Sequence, residues 1–156
     1  MINTIIGGAI AAVIGALAGF GTSLLLNYLN NKKEQALIVN DLLVEIEANL
    51  KICHDPASYK MWWMVKFKTE AYNSYKGRIT FLSEEVRKTL SEIAHTVEGV
   101  NTAIEVQLWR SGSGIAEPHE FRPIKHPDYL EQWLIFCRDE LQKWQKQRPS
   151  KNKSGG

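Results

Sequence analysis

Ile5 to Leu26 reads IIGGAIAAVIGALAGFGTSLLL, 22 residues without one charged side chain. At about 1.5 Å per residue, a helix over this stretch reaches roughly 33 Å, against a bilayer hydrocarbon core of about 30 Å. Length and composition together predict a transmembrane helix. A buried core helix of this kind would need apolar partners on every side, and a chain of 156 residues has little sequence left to supply them. A cleaved signal peptide is the nearer rival, because Ala16-Leu17-Ala18 has the small-x-small form of a cleavage site. Two features argue against it. No Lys or Arg stands before the apolar run, and the run continues past that site through Phe20 and Leu24-Leu25-Leu26. The expectation is an uncleaved anchor over residues 1–31.

The rest of the chain has a different character. Hydrophobic residues make up 44% and charged residues 23%, ordinary values that conceal a gradient. Met1 to Asn31 carries no charge, and all 19 Lys and Arg and all 17 Asp and Glu lie between Lys32 and Lys153. Lys32 and Lys33 directly follow the apolar run, so the positive-inside rule predicts a cell-membrane protein with its N-terminus outside and its C-terminal part in the cytoplasm. Cys53 and Cys137 then sit in a reducing compartment and read as buried, inert thiols. A net charge of +2 is too small to imply specific nucleic-acid binding, and two cysteines are too few for a disulfide framework.

Within the apolar run, Gly7, Ala11, Gly15, Gly19 and Ser23 recur every fourth residue, and Gly8, Ala12 and Ala16 form the adjacent row. Small residues at this spacing let two helix backbones approach closely, which is how helices associate in lipid. The face predicts transmembrane packing against a second copy or against a larger membrane protein.

Beyond Asn31 the sequence predicts helices. Lys32 to Cys53 contains no Pro or Gly, and Ile38, Val39, Leu42, Leu43, Ile46, Leu50 and Cys53 occupy an arc of about 140° with the acidic residues outside it. Asn49 falls inside that arc, either as a register-setting buried amide or as an edge residue reaching water. His54-Asp55-Pro56 ends the helix. A second start is marked by Ser83 followed by Glu84 and Glu85. From it Leu82, Val86, Leu90, Ile93, Val97, Val100, Ile104 and Leu108 form a seam about 80° wide, ending near Arg110. A loop from Ser111 to His126 follows, longer than most bundle connections. The last helix opens at His126-Pro127-Asp128 and aligns Leu130, Trp133, Leu134, Cys137, Leu141 and Trp144. The predicted fold is all-α, a single N-terminal transmembrane helix followed by an antiparallel three- or four-helix bundle. Residues 32–148 form the cytoplasmic bundle and 149–156 a disordered basic tail.

Tyr59 to Leu82 reads two ways. Val65 to Thr69 alternates like a strand, with Arg78 to Phe81 as a hairpin partner, while a helix through Glu70, Ala71 and Tyr75 fits better. Tyr59-Lys60-Met61-Trp62-Trp63-Met64-Val65-Lys66-Phe67-Lys68 interleaves rings and lysines as interfacial segments do. Trp62, Trp63, Lys66, Phe67 and Lys68 are therefore candidates for contact with anionic lipid or a protein partner, against the plainer reading of core aromatics with snorkelling lysines.

No catalytic constellation stands out. The four histidines, His54, His95, His119 and His126, lack ligand spacing to one another or to a cysteine, and no phosphate-loop, nucleophile-elbow or zincin motif occurs. No metal or cofactor is expected. The function that follows is non-catalytic: an accessory or scaffold subunit of a membrane complex, or a homo-oligomer. The alternative is a membrane-tethered sensor or effector, as in stress response or phage defence, with a cytoplasmic helical domain.

Overall fold

The computed structural model describes residues 2–54, 66–112 and 128–147, with side chains from Gly15 onward and without that of Ser111. Among these residues the chain is all-helical: α1 (Ile2–His54), α2 (Glu70–Tyr75), α3 (Glu84–Gly112) and α4 (Asp128–Lys146). It divides into two compact units, Met1–Leu37 and Ile38–Gly156. Ile38 is the first described residue of α1 to enter the core.

The helix ends follow local chemistry. α1 stops at His54, two residues before Pro56, whose ring disfavours helix at the preceding position. α3 is capped by Ser83, whose Oγ accepts from the Val86 N–H at 3.3 Å, and Glu84 and Glu85 complement the dipole in its first turn. In α4, Asp128 and Glu131 stand in the first turn and Lys143 and Lys146 in the last, the favourable polarity at both ends.

In the second unit the three predicted stripes meet. Ile38, Val39, Leu42, Ile46 and Leu50 of α1 pack with Val86, Leu90, Ile93, Val97 and Ile104 of α3 and with Leu130, Leu134, Cys137 and Leu141 of α4 in one core. Contacts along the elements give their directions. The end of α1 meets the start of α4, with His54 Nε2 3.3 Å from Glu131 Oε1. Phe81, just before α3, stacks on Trp144 near the end of α4, at 5.2 Å between ring centroids. α4 therefore runs antiparallel to both.

The remaining place in the bundle is filled mostly without helix. Lys66 to Thr69 is irregular, α2 has only six residues, and Arg78 to Leu82 forms turns. No strand occurs among the described residues, so the hairpin alternative does not form. As the chain advances from 66 to 75 its partners recede along α3, from Glu105 through Asn101 to Glu98, and along α1, from Asn49 through Glu45 to Asp41. The segment thus runs antiparallel to both helices, and consecutive elements of the bundle alternate in direction.

Candidate functional site

In the first unit, α1 presents its large apolar side chains to the outside. Leu17 is 66% exposed and Phe20 65%, and Leu24, Leu25, Leu26 and Tyr28 are also exposed. Gly15, Gly19 and Ser23 are exposed beside them, and a Cβ added at Gly15 or Gly19 would meet nothing within 4 Å. Side chains of Gly7 and Ala11 lie outside the described residues. Two polar side chains of this stretch find partners within the helix. Thr22 Oγ1 donates to the Ala18 carbonyl at 2.8 Å, and the Lys32 ammonium sits 4.4 Å over the Tyr28 ring. Among the described residues no helix is long and apolar enough to cross a membrane. The side chains of residues 5–14, the first part of the charge-free run, are not among them.

In the second unit the main polar feature is a pair of asparagine clamps. Asn49 Oδ1 accepts from the Lys68 N–H at 2.8 Å, while Asn49 Nδ2 donates to the Lys68 carbonyl at 2.9 Å. Asn101 repeats the arrangement one residue earlier, accepting from the Phe67 N–H and donating to the Phe67 carbonyl, both at 2.9 Å. An amide side chain carries one acceptor and one donor at the spacing of a strand's own backbone groups, so each asparagine stands in for a neighbouring strand. This explains why Lys66 to Thr69 has a strand's alternation without a sheet. Lys66 and Lys68 point out and Phe67 points in.

Glu45 completes the attachment. Its carboxylate accepts from the Ala71 N–H at 2.6 Å and the Tyr72 N–H at 3.1 Å, capping α2 from a different helix, because the N-cap residue Thr69 makes no side-chain cap bond. Glu45 is only 8% exposed, and its desolvation holds the carboxyl above the usual carboxylate range, against the lowering effect of the two N–H groups. One turn earlier Asp41 accepts from the Tyr75 hydroxyl at 2.7 Å. Asp41, Glu45 and Asn49 thus form one polar row at four-residue spacing on α1. Beside it lies an open groove lined by Val44, Lys68, Glu70 and Ser74.

Several expectations are corrected here. Phe67, expected at a membrane or partner surface, is 4% exposed and part of the core, since its side chain lies on the inner side of the clamped segment. Lys66 is exposed but ion-paired with Glu105, and Lys68 is exposed. Trp62 and Trp63 lie outside the described residues, as do His119, His126 and the basic tail. Asn49, at 2% exposure, is the buried amide of its two readings. Glu45, outside the apolar arc of α1 like the other acidic residues there, is buried, with backbone donors to serve. Glu45 and Asn101 were not singled out in the sequence. The available signal was the four-residue spacing that links Asp41 and Glu45 to Asn49.

The thiols are shielded. Burial pushes Cys53 up to about 11 and Cys137 up to about 12, so both are protonated near neutral pH. His95 is exposed on its helix, and among the described residues no three His, Cys, Asp or Glu side chains are grouped so as to hold a metal ion.

Fold and site together define a helical-bundle protein whose first helix also carries a charge-free stretch of exposed apolar residues. No protein-family model, curated protein or solved structure matches the chain.

Proposed function

We propose that the chain is a single-pass membrane protein anchored by the first part of α1, acting without catalysis as an accessory or scaffold subunit of a membrane complex or as a homo-oligomer. The observation that carries this reading is the outward exposure of Leu17, Phe20, Leu24, Leu25 and Leu26 within a run that has no charge before Lys32. An apolar face of this extent is costly in water and at home in lipid. Thr22 bonding back to its own helix satisfies a hydroxyl in the way lipid demands. Tyr28 with Lys32 and Lys33 makes an aromatic and basic boundary of the kind found at the cytoplasmic headgroups, with the bundle on that side and the N-terminus outside.

Gly7, Ala11, Gly15, Gly19 and Ser23 supply the packing face for a partner helix. The same four-residue row continues into Asn27 and Asn31, amides able to bond across a helix pair. Gentle detergent extraction of the full chain from its native membrane, followed by size-resolved co-purification and mass spectrometry, tests the assembly. Comigration with a larger membrane complex or as a homo-oligomer supports the reading, and migration as a lone monomer contradicts it.

A further inference from the structure

The segment from Lys66 to Tyr75 is attached to the bundle differently from the long helices. Four of its backbone N–H groups, those of Phe67, Lys68, Ala71 and Tyr72, are held by the side chains of Asn101, Asn49 and Glu45. Phe67 is its one fully buried side chain; Ala71, Tyr72 and Tyr75 of α2 are half-buried against the core. The open groove flanks it on one side. Beneath it runs a narrow crevice whose walls include Leu42, Ile46, Leu90, Ile93 and Leu134. A single fully buried side chain and part-buried hydrogen bonds to side chains, in place of a long helix's own ladder, are the features of a segment that opens locally at lower free energy than the whole fold.

We propose that residues 66–75 are a latch that opens as a unit while α1, α3 and α4 stay packed, turning the crevice into an apolar cleft between α1 and α3. Leu42 and Ile46 of α1, Leu90 and Ile93 of α3 and Leu134 of α4 belong to one core with Phe67. Asn49, Asn101 and Glu45 are the latch's catches, and Phe67 is its anchor. The device is independent of whether the first unit crosses a membrane.

Site-resolved hydrogen exchange on the full chain tests it. The amides of Phe67, Lys68, Ala71 and Tyr72 are expected to exchange together, at least roughly tenfold faster than those of Val97 and Leu134, with little dependence on low urea concentrations. Asn101→Ala should speed the four latch amides roughly tenfold further, still with little dependence on low urea concentrations. Exchange of the latch amides at the core rate, with the same urea dependence, would overturn the proposal. So would an Asn101→Ala variant whose latch amides exchange no faster than those of the unmodified chain. If that variant does not fold, the urea dependence of the unmodified chain decides alone.

Discussion

Asn49 and Asn101, on helices separated by the whole of the α2 region, grip adjacent residues of one chain segment. Asn49 holds both backbone groups of Lys68 and Asn101 both of Phe67, with all four bonds between 2.8 and 2.9 Å. The pair sets the register between α1, α3 and the chain that runs between them.

Asn49→Ala and Asn101→Ala should each cost about 1–3 kcal/mol, the usual effect of leaving buried backbone groups without partners. Because both act on one segment, the double variant should lose less than the sum. Urea denaturation of the two single variants and the double variant measures the coupling directly, and strict additivity would mean the clamps work independently.

Glu45 gives the fold a specific pH dependence. Its carboxyl is held above its ordinary value of 4.5, so between that value and the folded-state pKa the folded chain binds more protons than the unfolded chain. Its contribution to stability is fully present below the ordinary pKa and is lost as pH rises through the raised one. Relative to Glu45→Gln, the native chain should therefore lose stability on going from mildly acidic to neutral pH. Urea midpoints for both proteins across that range check the sign, and parallel curves would show that Glu45 does not titrate in this window.

Cys53 and Cys137 should resist alkylation in the folded chain. With the thiols raised to about 11 and about 12 by burial, the reactive thiolate is scarce at neutral pH. Iodoacetamide labelling followed by mass should show slow modification of both until denaturant is added.

Gly15→Ile with Gly19→Ile isolates association from folding. A Cβ added at either exposed position meets nothing within 4 Å, so the helix and the bundle should be unaffected, as read by circular dichroism and thermal unfolding. Association of the full chain in detergent should be lost, because the branched side chains hold helix backbones apart. Undiminished association would remove this face from the interface.

Much of the architecture is legible in periodicity. The apolar rows at Ile38 to Cys53, Val86 to Ile104 and Leu130 to Leu141 are the rows that meet in the core, since helical spacing alone decides which side chains share a face. The course of residues 66–75 is not legible in that way. Its alternation is that of a strand, but its partners are two asparagine side chains 52 residues apart, visible only once α1 and α3 are side by side. For the same reason Phe67 reads as an interfacial ring beside Lys66 and Lys68, although the clamps turn it inward. Glu45 resembles any acidic residue on a solvated helix face until the N–H groups of Ala71 and Tyr72 are placed against it.

Alkaline carbonate extraction of membranes from cells expressing the full chain probes the anchoring by Ile5 to Leu26 most directly. The chain should remain in the membrane pellet with integral proteins, and replacing Leu17 and Phe20 by Lys should move it to the supernatant, since charges at the centre of a span cost about 2.5–3.5 kcal/mol each. Release of the unaltered chain into the supernatant would contradict the membrane anchor.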